Sequence, residues 1–316
     1  MALTKKIIEE AAERIQQHVH QTPVLQSTLI NETVGAELFF KCENFQKAGA
    51  FKGRGAHNVL FSLSDKEIRN GVITHSSGNH AGALALAAKN RGTKAYIIMP
   101  ETAPAVKVAA VRAYGGEITF CKPTLEARES TLKEVQKIHH PVEVHPYNDE
   151  RIIAGQATAA KELFEDQTDL DILLAPVGGG GLLSGTALSA KYFSPSTEVI
   201  AAEPKGADDA WRSFTSGKFV PSENPQTIAD GLLTSLGSIT FPIIKDLVSD
   251  ILTVEEETII RAMKIIWERM KIVVEPSSAV PLAAILENPS RFRGKKTGII
   301  LSGGNVDLNK LPWNKE

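Results

Sequence analysis

An α/β fold with open, largely parallel sheets flanked by helices is what this sequence predicts. Short apolar runs recur along its 316 residues, each ending near Gly, Ser or Pro, and each is followed by a stretch of helical character. That alternation marks buried parallel strands joined by crossover helices. Glycine-rich turns sit where several runs end, as ligand-binding turns do at the carboxyl ends of such strands. No low-complexity linker and no repeat of roughly 20 to 50 residues interrupts the pattern, so separate beads on a string are not expected.

The elements follow in order. Ile7, Ile8, Ala11, Ala12, Ile15 and Val19 recur at helical spacing with charges on the other face, which predicts an amphipathic helix over 4–19, ending before Thr22-Pro23. Strands are expected at ELFFKCE, GVITHSS, KAYIIMP, EITFCK, DILLAPV, EVIAAEP and TGIILSGG. Residues 67–148 hold their own strand and helix alternation. They suit a small inserted domain, with 1–66 and 149–316 forming a larger one.

Charge narrows the partners. With 35 Lys and Arg against 37 Asp and Glu, the formal net charge is -2, without the basic excess that nucleic acid or an anionic membrane calls for. A small molecule is the expected partner. The first residues mix charges among their apolar positions, unlike a signal peptide, and no run reaches membrane-span length, so a cytoplasmic protein is expected. The two cysteines, Cys42 and Cys121, lack CxxC spacing and read as reduced thiols rather than as a disulfide or zinc site.

Four turns carry chemistry. PVGGGGLLSG, 176–185, places four glycines between a strand and a helix, where N–H groups and the helix start favour a phosphate. A Walker loop would need Lys and Ser or Thr after the glycines. A dinucleotide motif from Gly178 would need glycine at Leu183. Acidic residues downstream, Glu198 and Glu203, keep a nucleotide-binding dehydrogenase in play; a plain glycine turn is the simpler rival. THSSGNHAG, 74–82, groups Ser76, Ser77, Asn79 and His80 at a helix start suited to a carboxylate, although a serine there also serves as an ordinary N-cap. LSGGNVDL, 301–308, repeats the strand-then-glycine pattern with Ser302 first after the run. KAGAFKGRGAH, 47–57, sets Lys52 behind Phe51 and between glycines, either a solvated cation or an amine held for covalent work.

Together with HQTPVLQS, IAGQATAAKEL, EPKGADDA and IADGL, these turns make the chain resemble the fold-type II pyridoxal-phosphate enzymes over nearly its whole length. Within them it is most similar to the serine racemase and serine/threonine dehydratase group, especially the plant-type racemases. The resemblance implies a two-domain architecture of the tryptophan synthase β kind, with the large domain binding pyridoxal 5'-phosphate and the small one closing on substrate. It implies that Lys52 carries the cofactor, with Phe51 beside it. Gly178, Gly179, Gly180 and Gly181 would hold the phosphate, Asn79 the ring hydroxyl and Ser302 the pyridine nitrogen. A neutral serine at that nitrogen cannot stabilise negative charge as a carboxylate would, which suits chemistry that leaves a carbanion quickly. One departure is Ala50, where serine is common in the family.

Substrate roles follow in the same way. Ser76, Ser77, Asn79 and His80 would cradle the substrate carboxylate, and Arg128 in LEARES matches an arginine that approaches the substrate; a solvated helix face is its simpler reading. Racemisation needs a second acid/base opposite Lys52, and Ser77 matches it. Glu203, the Ala207 carbonyl and Asp209 would bind Mg²⁺, or Ca²⁺ or Mn²⁺, as hard oxygen ligands do. The expected protein is a cytosolic homodimer that racemises serine and dehydrates L-serine and D-serine to pyruvate and ammonia. A threonine or threo-3-hydroxyaspartate ammonia-lyase is the alternative. The sequence ends soon after LSGGNVDL, which disfavours a regulated threonine deaminase. ATP as an activator stays open, because Tyr147 stands where animal racemases tend to carry asparagine.

Overall fold

The computed structural model describes residues 3–314. Its ten strands are β1 (Val24–Leu25), β2 (Glu37–Cys42), β3 (Val72–His75), β4 (Ala95–Pro100), β5 (Glu117–Cys121), β6 (Val142–Glu143), β7 (Ile172–Pro176), β8 (Glu198–Pro204), β9 (Asp250–Val254) and β10 (Lys296–Leu301). They form a six-stranded sheet ordered β1-β2-β10-β7-β8-β9 and a four-stranded sheet ordered β5-β4-β3-β6. Every pairing is parallel except that of β1 with β2.

All seven expected strands are present. Those at the centre are buried on both faces, as β4, β7 and the inner residues of β8 and β10 show, which is why they read as continuous apolar runs. β9 escapes such a reading because only two of its residues, Ile251 and Val254, are buried. β1 and β6 are two-residue edge pieces. The first helix is shorter than its periodicity predicts, Lys5–Ile15. Beyond it the His18 ring stacks on Phe61 with centroids 3.7 Å apart, and the chain leaves the helix in a tight turn.

The four-stranded sheet lies wholly within residues 67–148. The helix Lys52–Ser62 crosses from one region to the other in its packing: Ala56, Val59 and Leu60 share a core with Val72, Ala95 and Ile97. The division at 66 and 149 thus remains a proposal about chain path, since the helix that precedes it packs on the small sheet. The six-stranded sheet is covered by two cores, one built around the almost wholly buried helix Pro276–Glu287 and the other containing the start of the helix Gly181–Phe193. No helix among the described residues is long and apolar enough to cross a membrane.

The ends of β3, β7 and β10 lead directly into the SSGNH turn, the tetraglycine loop and Ser302. Three of the four chemical turns therefore sit at carboxyl ends of parallel strands, where ligands bind in open α/β sheets.

Candidate active site

Lys52 begins a helix whose entry is stitched to the end of β10. The Phe51 N–H donates to the Ser302 carbonyl at 2.9 Å, and Ala50 bridges Gly303. Two residues on, Arg54 is wholly buried and meets Glu43 in a bidentate pair, both bonds 2.8 Å, while Glu162 accepts at 2.6 and 2.7 Å. A buried guanidinium is tolerated only when so paired, and the pairing fixes the helix start. The Lys52 Nζ is half-buried, lies 5.1 Å from the Phe51 ring centroid and donates to the Pro146 carbonyl at 2.7 Å. Burial lowers its pKa to about 8, because desolvation disfavours the charged amine.

The tetraglycine loop is closed on every side. A Cβ on Gly178 would stand 2.9 Å from Leu232 Cα, and one on Gly179 would fall against the Tyr147 ring. Gly180 adopts φ +86°, a conformation that favours glycine. Thr240 donates its hydroxyl to the Gly179 carbonyl at 2.8 Å and holds the loop's path. Among the described residues no oxygen accepts from the Gly178, Gly179 or Gly180 N–H, and all three residues are buried at the start of the helix Gly181–Phe193. Buried N–H groups without acceptors at a helix start fit an anion.

The SSGNH turn is looser. The Ser76 N–H donates to Ile98, and its hydroxyl accepts from the Gly78 N–H at 3.3 Å. The Ser77 hydroxyl has no protein partner among the described residues and is half-buried. His80 is buried with Nε2 3.2 Å from the Val144 carbonyl, and burial drives its pKa well below the ordinary value. Its Nε2 is engaged while Nδ1 is buried without a partner, and its backbone N–H lies at the helix start. Asn79 donates to Glu275 Oε1 at 2.6 Å and accepts from Asn305 Nδ2 at 3.0 Å. Ser302, buried, lies 3.1 Å from the Ser278 hydroxyl.

Arg128, on the helix Leu125–His139, is half-buried, and its side chain has one hydrogen bond, from Nε to the Thr124 carbonyl at 3.4 Å. It has no ion pair among the described residues. Burial first, then its positive charge, lowers the pKa of His75 at the end of β3.

Glu203 lies near the end of β8 and Asp209 opens the helix Asp209–Ser216, with Ala207 in the short turn between them. The Glu203 carboxylate accepts from the Ala210 and Trp211 N–H groups at 2.9 and 2.8 Å, and burial raises its pKa to about 9. Asp209 is buried, its Oδ2 has no partner, and burial raises its pKa to about 6. No group of three or more His, Cys, Asp or Glu side chains forms a metal cluster among the described residues. The donor set of two carboxylates and a carbonyl fits a hard divalent ion through the unpartnered Asp209 oxygen, and such an ion would compete with two N–H groups for Glu203.

Several working residues escaped the sequence reading. Tyr147 walls the glycine loop, Pro146 takes the Lys52 amine, and Glu275 and Ser278 hold Asn79 and Ser302. The run Glu275-Pro276-Ser277-Ser278 did carry a signal, since proline just inside a helix start after an acidic residue marks an N-terminus.

A lysine with a lowered pKa, an anion-ready glycine loop and a serine at the end of a central strand define a pyridoxal-phosphate site, and the residues present fit that cofactor. The chain belongs to the pyridoxal-phosphate dependent enzyme family, whose profile matches residues 15–303. It is 54% identical over 304 residues to the beta-hydroxyaspartate dehydratase of Paracoccus denitrificans (strain Pd 1222), covering 96% of each chain. To the serine racemase of Dictyostelium discoideum it is 53% identical over 314 residues, covering 98% of this chain and 97% of that protein. The structure of maize serine racemase superposes with a TM-score of 0.96 at 49% identity, covering 98% of this chain and 95% of that one. The fold-type II architecture and a pyridoxal-phosphate enzyme of the racemase and lyase type are thereby established, and the dehydrogenase reading has nothing left to support it.

Proposed function

We propose that this enzyme racemises serine and also eliminates water from L-serine and D-serine to give pyruvate and ammonia. The observation that carries the reading is Lys52 with its lowered pKa, held at the Pro146 carbonyl, in a chain that also leaves the Ser77 hydroxyl unpartnered. When bound, the cofactor takes up the electron pair left at the substrate Cα once a proton departs. The Lys52 amine, neutral in a useful fraction near pH 8, removes that proton. Ser77 returns a proton from the other face to complete racemisation, whereas in elimination the β-hydroxyl leaves as water and a water molecule then hydrolyses the released enamine, through its imine, to pyruvate and ammonia. The N–H groups of Ser77, Asn79 and His80 hold the α-carboxylate, and the closed walls around the glycine loop exclude water from the cofactor's phosphate.

A second reading, a threo-3-hydroxyaspartate or threonine ammonia-lyase, is favoured by the 54% identity to a beta-hydroxyaspartate dehydratase. The unpaired Arg128 guanidinium supports it too, since a second carboxylate would give it a partner. We also place a divalent cation at Glu203, the Ala207 carbonyl and Asp209, on the strength of the unpartnered Asp209 oxygen. A homodimer fits the exposed Phe45, Val273 and Leu308, two of which adjoin through the Asn44 bond to the Val273 carbonyl.

The deciding experiment follows D-serine and pyruvate together from L-serine with pyridoxal phosphate and Mg²⁺, then with EDTA, and then with ATP added. L-threo-3-hydroxyaspartate and L-threonine are run alongside. D-serine formation that falls on chelation supports the metal-assisted racemase. Pyruvate without D-serine, or turnover confined to hydroxyaspartate, moves the assignment to the lyase.

A further inference from the structure

We infer that Glu275 is a positioning residue that fixes which way the Asn79 amide faces the cofactor, an inference that rests on the pyridoxal-phosphate reading above. An asparagine amide has two senses, related by a half-turn, that differ little in shape and interchange a donor with an acceptor. Toward an anionic ring hydroxyl, one sense presents N–H and binds, and the other presents oxygen and repels.

Hydrogen-bond accounting leaves Asn79 one sense. Glu275 Oε1 accepts from Asn79 Nδ2 at 2.6 Å, which uses one N–H. On the other side, Asn305 Nδ2 donates both to the Ala48 carbonyl at 2.8 Å and to Asn79 Oδ1 at 3.0 Å. The Asn79 oxygen is held by a donor whose two N–H groups are thus spent, and one Asn79 N–H is left over. That remaining donor is the only N–H the side chain can turn to a ligand. Reversing the amide would set NH₂ against NH₂ at Asn305 and oxygen against oxygen at Glu275.

Glu275 is itself immobile. It is 2% exposed, its backbone N–H donates to the Gly303 carbonyl at 3.0 Å, and it opens the buried helix Pro276–Glu287. Its other oxygen, Oε2, is buried with no partner. Burial raises its pKa to about 7, opposed by Lys107 and reinforced by Asp230, which pair with each other across the cleft. A proton on Oε2 leaves Oε1 free to accept, so the lock works in either protonation state. The same turn also holds the other edge of the site, where Ser278 Oγ lies 3.1 Å from Ser302 Oγ and accepts from the Gly303 N–H at 2.7 Å.

The test loads pyridoxal phosphate onto the full chain stripped of cofactor and reads the dissociation constant and the visible band of the bound form, without substrate. Glu275→Gln keeps an acceptor in place and is expected to retain both values. Glu275→Leu removes it and is expected to weaken binding on the order of ten- to a hundredfold, with a shifted band. Asn305→Ala releases the amide from the other side at a half-buried position, so it reads the same lock if Glu275→Leu folds poorly; it should weaken binding several-fold. Wild-type affinity and band in both Glu275→Leu and Asn305→Ala would overturn the inference. So would a Glu275→Gln variant as impaired as Glu275→Leu, because bulk and charge rather than the acceptor would then be at work. A wild-type chain that captures no cofactor would sink the site assignment and this inference with it.

Discussion

The tetraglycine loop and the SSGNH turn are built on opposite principles. Around the tetraglycine loop there is no spare room: a Cβ on Gly178 would stand 2.9 Å from backbone, and one on Gly181 2.9 Å from Tyr147. At the SSGNH turn, a Cβ on Gly78 would meet nothing within 4 Å, and Ser76, Ser77 and Asn79 are half-buried. The cofactor's phosphate side is thus formed before anything binds, while the substrate side keeps groups in reserve. A permanent cofactor favours a preorganised cradle, and a transient substrate favours a surface that can adjust.

Lys52 serves both loops in the proposed chemistry, and removing it should erase the distinction between them. Lys52→Ala is expected to abolish racemisation and elimination together, by about a thousandfold or more, since one group is both cofactor anchor and base. An assay that still yields D-serine or pyruvate without added amine would break the scheme. On the adjustable side, Ser77→Ala should cost racemisation about a hundredfold while elimination from L-serine falls far less, because only racemisation needs a proton from that face. Equal losses in the two product assays would remove Ser77 from proton transfer.

The difference in room gives a paired prediction. Gly178→Ala drives a methyl into the Leu232 backbone and should cost about 1–3 kcal/mol in thermal or denaturant unfolding, with weaker cofactor binding. Gly78→Ala, at φ -117° with open space around it, should change stability by no more than about 0.5 kcal/mol. If the two variants behaved alike, the contrast between a rigid and an adjustable loop would be void.

The same contrast decided what could be read in advance. The tetraglycine loop announces itself, because a backbone that must approach ligand, Tyr147 and Leu232 at once can be made only of glycine, and its composition reports that need. The central apolar strands were equally legible, being buried on both faces, and β5 kept an apolar run although only Cys121 of it is buried. β9 was not, since an edge strand with two buried residues resembles a loop. Glu275 was invisible for another reason. Its partner Asn79 is 196 residues away, and a lone glutamate in sequence carries no mark of the amide it will meet. Pro146 and Tyr147 were likewise plain loop residues until the fold set them against Lys52 and Gly179.

The last prediction concerns Lys52 before any cofactor arrives. Its folded pKa, about 8 and lowered by burial, lies below the roughly 10.4 of a free lysine, so folding makes the amine easier to deprotonate. Only the neutral amine attacks a carbonyl, and its fraction rises as pH climbs toward about 8 and then levels. The rate at which the cofactor-free protein captures pyridoxal phosphate should therefore rise by up to about tenfold per unit below that pH and flatten above it. Rapid-mixing absorbance across pH 6 to 10 reads this directly. A rate still climbing steeply at the upper end would mean that Lys52 keeps a solvated lysine's pKa and that the pocket does not desolvate it, which would make the neighbourhood of Lys52 as adjustable as the SSGNH turn.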